Sequence, residues 1–295
     1  MIRLVRRGEG LDVESAPVEA NLQPVRCLLP LPYASTEGRT PGGVFVANHV
    51  TRGLVVSNPH SPCGCCVVCE GGLPEACPQR RCPGRGKDDG GLAQQQICAE
   101  ELLVDVPSDV DPDVAVWASE AATALGAMRS VVPGDRPYVS VVGDSAAAIL
   151  AGELGAQRDD RFRLLCQRDS TVKEAERRGV RVRLLSEIGR HADQDVLVLL
   201  DGALKIPSLL QLIRPRGRII LARPPAESPD FSALFRQQLS VVPSAASSIQ
   251  SGLQAFAKGT LRADGLAERT LALDEVGQWW QKPRARTLVR IGVPS

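Results

Sequence analysis

The chain has few aromatic side chains, 3% of the total, and only three histidines and two methionines. A protein that binds single-stranded nucleic acid needs aromatic platforms on which bases stack, and any nucleic-acid surface usually carries a basic surplus. Here 35 basic residues face 34 acidic ones, a net charge of +1, so nucleic acid is not an expected partner. The densest basic run, RGVRVR at 178–183, reads as a solvated helix end leading into a strand. No apolar run approaches the roughly 20 residues that a bilayer-crossing helix requires, so no membrane span is expected. The opening MIRLVRRGEG has neither the apolar core nor the small-residue cleavage site of a secretory leader, which makes the cytoplasm the expected compartment.

Cysteine is what the chain has in plenty. Nine are present, and five fall between 63 and 77, in CGCCVVCEGGLPEAC. In a reducing compartment clustered thiols mean metal more often than disulfide. Cys63, Cys66, Cys69 and Cys77 follow the spacing C-x2-C-x2-C-x7-C, which leaves Cys65 and Cys82 as spares. Structural zinc takes four thiolates at tetrahedral corners. Three cysteines in series, closed by a fourth after the glycine- and proline-bearing loop EGGLPEA, can wrap one ion completely. The expectation is one structural zinc per chain on Cys63, Cys66, Cys69 and Cys77, bracing a lobe over 63–82. Cys27 sits in an apolar strand-like stretch and reads as a core thiol. His60 and His191 read as surface loop residues.

The first 60 residues read as short strands, with PVRCLLPLP and GGVFVANHVTRGLVVSNP the clearest. SDVDPDVAVWASEAATALGAMRSV reads as one helix, with Pro112 suited to its first turn. From Pro137 onward, strands such as YVSVVG, FRLLCQ, VRVRLL, DVLVLLDG and GRIILARPP alternate with helical segments, the pattern of a parallel sheet with right-handed crossovers. The tail supplies helices in SIQSGLQAFAKG and LDEVGQWWQ, and an edge strand in RTLVRIGV.

These features, taken in order, resemble the zinc-type medium-chain dehydrogenase/reductase superfamily, the alcohol dehydrogenase relatives. NPHSPCGCCVVCEGGLPEACP looks like that family's structural zinc lobe, and GRGKDDGGLAQQQICAEELLVDVP is similar to the segment that follows it. SEAATALGAMRSVVPGD resembles the helix before the nucleotide-binding strand. LLQLIRPRGRII looks like the family's L-L-R-P-G-G-R-V-V, and LALDEVGQWWQ like its F-P-L-D-E-V segment. The likeness runs from about Ser57 to the end. It implies an α/β fold: a doubly wound Rossmann domain over 121–244, and a strand-rich GroES-like catalytic-type domain over 1–120 and 245–295 that carries the zinc lobe. It also implies an NAD(P) cofactor meeting the GDSAAA turn in an interdomain cleft, an alcohol or carbonyl substrate, and a homodimer joined through LSVVPS at 239–244.

The family's catalytic zinc would draw on an I-C-G-T-D cysteine, a G-H-E histidine and a third ligand. If YASTE stands at the first motif, Ala34 replaces the cysteine. His49 in NHVTRGLV matches the histidine in one alignment and has no role in another. Glu120 in SEAATAL resembles an acidic ligand. Without that zinc a carbonyl would need another electrophile, for which Tyr33, Thr36 and His49 are the candidates. In VVGDSAAA, Gly143 keeps the first glycine of the dinucleotide fingerprint, while Ser145 and Ala148 stand at the second and third. Asp144 adds negative charge where a pyrophosphate would lie. At the end of the second Rossmann strand Cys166 replaces the ribose-binding carboxylate, and Arg168 either suits a 2′-phosphate, favouring NADP over NAD, or is a solvated helix-start residue. Two functions follow. One is an alcohol dehydrogenase-like oxidoreductase that transfers hydride without an intact catalytic zinc. The other is a non-catalytic relative that keeps the zinc scaffold and binds a ligand or partner.

Overall fold

Alternation of apolar and polar residues in the first half, and unbroken apolar strands in the second, produce two kinds of sheet. A computed structural model describes residues 2–15, 20–29, 36–131, 137–158, 161–189, 192–201, 206–225, 230–281 and 286–292. Tyr33, Ala34 and His191 lie outside them. The chain divides into two units, 1–119 with 267–295, and 120–266.

In the first unit, β1 (Ile2–Arg7) and β2 (Gly10–Ser15) form an antiparallel hairpin. The main sheet combines β3 (Leu22–Leu28), β4 (Phe45–His49), β5 (Gly53–Ser57), β6 (Leu103–Asp105), β13 (Arg269–Ala272) and β14 (Thr287–Arg290), in the order β13-β14-β3-β4-β5-β6. Only β13 and β14 run parallel within it. One face is buried around Leu22, Phe45, Val55, Leu92 and Leu102, with Trp280, just beyond α9 (Val276–Trp279), packed into the same core. The short helices α1 (Val67–Glu70) and α2 (Pro112–Ala115) complete the unit.

The second unit carries six parallel strands: β7 (Val139–Val142), β8 (Phe162–Cys166), β9 (Val182–Leu184), β10 (Gln194–Leu199), β11 (Ile213–Leu221) and β12 (Ser240–Pro243). Their order is β12-β11-β10-β7-β8-β9, the doubly wound arrangement in which chain direction across the sheet reverses between β7 and β10. Helices α3 (Ala118–Arg129), α4 (Ala146–Ala156), α5 (Asp169–Arg177), α6 (Ile206–Leu209), α7 (Phe231–Gln237) and α8 (Ile249–Ala257) belong to this half of the chain. All residues of α4 from Ala146 to Gly155 are buried, which explains its lack of a polar face.

The structure departs from the sequence reading in four places. The segment 112–129 is two helices, α2 and α3; Pro112 does stand in the first turn of α2, which Asp111 caps by accepting the Asp113 N–H. Residues 213–216 already belong to β11. Strand β14 is interior, flanked by β13 and β3, and the edge strands of that sheet are β13 and β6. Residues 245–266, including α8, group with the second unit and not with the first; the amide of Ser247 donates to the Ala122 carbonyl at 2.8 Å, which holds this segment to α3.

Candidate functional site

The four cysteines of the spaced set converge. Their sulfurs lie within 4.8 Å of one another, with Cys63–Cys77 and Cys66–Cys69 at 3.5 Å, Cys66–Cys77 at 3.9 Å and Cys63–Cys69 at 4.0 Å. A zinc–sulfur bond of about 2.3 Å at tetrahedral corners puts sulfurs roughly 3.8 Å apart, whereas a disulfide needs about 2.05 Å. The donor set therefore fits zinc, held by four thiolates with no open coordination position, so the ion would supply structure and no Lewis acidity. The backbone N–H of Cys65 favours the thiolate of Cys63 and lowers its pKa to about 6, while burial pushes the Cys69 thiol up to about 12. Among the described residues, no other three or more His, Cys, Asp or Glu side chains gather in this way.

The lobe has almost no core. From 61 to 82 only Ser61 and Cys77 are buried, and Val67 and Leu73 are 84% and 61% exposed. Its ends meet through Ser61 and Arg81, whose backbones exchange hydrogen bonds of 3.0 and 2.8 Å. Cys65 is exposed, and Cys82 lies 3.6 Å from Nδ1 of His60. Cys27, in contrast, is fully buried in the sheet, and burial raises its thiol far above its usual range.

The proposed catalytic residues are placed otherwise. His49 ends β4, buried, with Nε2 2.8 Å from Glu100 Oε1. Its Nδ1 accepts the backbone N–H groups of Thr51 and Arg52, each at 3.2 Å. It thus braces the β4–β5 turn, and Arg52, bonded to Glu100 and Asp105, holds the Glu100 carboxyl below its ordinary value. The Thr36 hydroxyl accepts the Gly86 N–H at 2.8 Å. Glu120, in the first turn of α3, pairs through Oε1 with Arg223 and through Oε2 accepts the N–H of Ala147 at 3.1 Å. The three share no hydrogen-bond partner.

Gly143 follows β7, and Asp201 lies two residues beyond β10, so they stand on opposite sides of the switch point where such sheets receive ligands. Gly143 has φ +150°, and a Cβ there would lie 2.8 Å from Cγ of Asp201, so only glycine fits. Oδ2 of Asp201 accepts the N–H groups of Asp144 and Ser145. Ser145 caps α4, its Oγ accepting the Ala148 N–H at 3.3 Å. The Asp144 carboxylate turns to the second strand's end and accepts the N–H groups of Gln167 at 3.0 Å and Arg168 at 3.1 Å. Arg168 is the half-buried residue before α5. Burial raises the Asp201 carboxyl above its ordinary value, and its Oδ1 is buried with no hydrogen-bond partner. Sequence reading missed Asp201; the available signal was a carboxylate closing the apolar run VLVLLD opposite the glycine turn.

No family model matches the chain, and no curated protein matches it. Solved structures do. An alcohol dehydrogenase from Thermus sp. ATN1 superposes with a TM-score of 0.81 at 18% identity, over 99% of this chain and 100% of that one. L-idonate 5-dehydrogenase from Escherichia coli gives 0.81 at 15% identity, over 98% and 97%. Acetophenone reductase from Geotrichum candidum, solved with NAD, gives 0.79 at 14%, over 98% and 96%. The chain therefore has the fold of the zinc-type medium-chain dehydrogenase/reductases, a Rossmann unit together with a GroES-like unit carrying a four-cysteine lobe.

Proposed function

We propose that the chain is a zinc-braced scaffold on the dehydrogenase fold, one that binds a ligand or partner and does not transfer hydride. The observation that carries this reading is the employment of its acid–base candidates. Both ring nitrogens of His49 and both carboxylate oxygens of Glu120 are taken up by bonds that hold turns and helices together. A proton donor or acceptor committed to backbone N–H groups in this way is poorly suited to exchange protons with a substrate.

One zinc per chain sits in the lobe in this reading, and the reduced thiols suit a cytoplasmic protein. The favoured partner is a second copy of the chain. Strand β12 pairs with β11 alone among the described strands, and beside it α7 presents Phe231 and Phe235, 73% and 84% exposed, one helical turn apart. Edge-to-edge pairing of two copies would cover both the open strand and the rings.

A second reading is an oxidoreductase acting on an alcohol or carbonyl with NAD(P). The structural neighbours named above favour it, one of them solved with NAD. Cys166 in place of a ribose-binding carboxylate would then favour NADP over NAD. Turnover separates the two readings. Zinc-loaded protein is assayed with NADPH and NADH against a panel of aldehydes and ketones, and with both oxidised cofactors against alcohols. The scaffold reading expects no rate above the uncatalysed control; protein-dependent turnover abolished by Glu120→Ala would replace it with the oxidoreductase.

A further inference from the structure

In a dinucleotide-binding Rossmann unit, the turn after the first strand and the first turn of the next helix offer backbone N–H groups to a pyrophosphate. Here the same groups have acceptors from the chain itself. Asp201 takes the amides of Asp144 and Ser145, Glu120 takes that of Ala147, and the Ser145 hydroxyl takes that of Ala148. At the neighbouring strand end, where an adenosine ribose would be held, the Asp144 carboxylate occupies the amides of Gln167 and Arg168. Three carboxylates thus stand where a dinucleotide would bring its own negative charge. Arg223 bridges to Glu120 and so balances part of that charge without leaving the amides open.

We infer that the nucleotide end of this Rossmann unit is self-occupied: Asp201 and Glu120 act as internal stand-ins for the pyrophosphate, and the unit takes no dinucleotide there. Two features outside the helix terminus support this. The Asp201 carboxylate lies so close to Gly143 that a Cβ would meet it at 2.8 Å, so the carboxylate itself fills the space beside the turn at the β10 end. Its Oδ1 is enclosed without a hydrogen-bond partner, an arrangement retained although a buried polar atom without a partner is costly. The residues of the site therefore do not fit the NAD(P) that the fold suggests. Removing the stand-ins should uncover an anion site that the native chain keeps closed.

The inference goes beyond the scaffold reading and is tested apart from it, by binding instead of turnover. Zinc-loaded full-length protein is titrated calorimetrically with NADPH, NADH and inorganic pyrophosphate, beside Asp201→Ala and Asp201→Ala/Glu120→Ala. The native chain should show no saturable binding up to about 1 mM, and the double variant should gain at least tenfold in affinity for NADPH or pyrophosphate. Micromolar binding by the native chain, or no gain in a folded double variant, overturns it. If the variants do not fold, amide exchange of the native chain decides. Protection of the amides of Asp144, Ser145, Ala147 and Ala148 that is present without ligand and unchanged by NADPH supports the inference, and fast exchange there overturns it. Dinucleotide binding without turnover would remove this inference and leave the scaffold reading standing; turnover would remove both.

Discussion

Replacing Cys77 by serine tests the metal lobe. Cys77 is 2% exposed, its sulfur stands 3.5 Å from that of Cys63 and 3.9 Å from that of Cys66, and it also accepts the Cys63 N–H. Structural zinc binds with about 10–16 kcal/mol, so each of four thiolates accounts for roughly 2.5–4 kcal/mol of that figure. Little else holds the lobe together, because only Ser61 and Cys77 are buried between 61 and 82. With 1.4 kcal/mol per tenfold, exchange of the lobe's bonded amides should speed up by roughly a hundredfold or more. Those of Glu70, Gly71, Gly72 and Ala76 report most directly, since each bonds within the lobe. Hydrogen-exchange mass spectrometry of Cys77→Ser, with zinc counted per chain, gives the readout, and strands β7 to β12 serve as the internal reference. A lobe as protected in the variant, or in metal-free native protein, as in the zinc-loaded form would refute the assignment.

Other expectations concern stability and assembly. The Arg178 side chain is fully buried against Glu153 and Glu174, at 2.7 and 2.6 Å; Arg178→Met removes the buried cation that joins the two carboxylates, leaving Glu153 to Arg262 and Glu174 to Arg177, and should cost about 3 kcal/mol in denaturant unfolding, whereas a loss below about 1 kcal/mol would mean the buried cation is dispensable. Arg177 lowers the Asp264 carboxyl by a hydrogen bond; at Glu174 burial raises the carboxyl, but Arg177 and Arg178 outweigh it. Both folded pKa values lie below the unfolded ones, so the stability they contribute is present above about pH 4 and lost as pH falls through the folded values. The urea midpoint of the native chain should accordingly drop more steeply between pH 5 and pH 3 (about one unit either side of the unfolded value) than that of Arg177→Gln, and parallel curves would count against this. Phe235→Asp should shift sedimentation from dimer toward monomer; a native chain that sediments as a monomer would remove the β12 interface. His49→Ala should destabilise the β4–β5 turn by about 1–2 kcal/mol through the lost acceptor for two amides; unchanged stability would show that the ring does not brace the turn.

Much of the fold was legible because its signals are local. The period of the strands, the glycine after β7 and the cysteine spacing each depend on a few adjacent residues, and Asp111 before Pro112 marks a helix start without any tertiary information. The interior place of β14 was not legible, because strand order depends on pairing with β3 and β13 from distant parts of the chain. The same limit applies to the site. Spacing alone gathered the four sulfurs, but the Glu100 partner of His49 lies 51 residues away and the Ala147 and Arg223 partners of Glu120 lie 27 and 103 away. Asp201 reaches the glycine turn across 57 residues, and only the β7–β10 neighbourhood brings the two together. Asp144 was read as a charge unfavourable to phosphate, and the structure adds that this carboxylate has amide donors of its own.

A crystal structure of the zinc-loaded chain grown with NADPH tests the central claim most directly. The account predicts one zinc among Cys63, Cys66, Cys69 and Cys77, with Asp201 and Glu120 still bonded to the amides at the start of α4 and no nucleotide on them. A pyrophosphate seated on the amides of Ala147 and Ala148, with both carboxylates turned away, would contradict it.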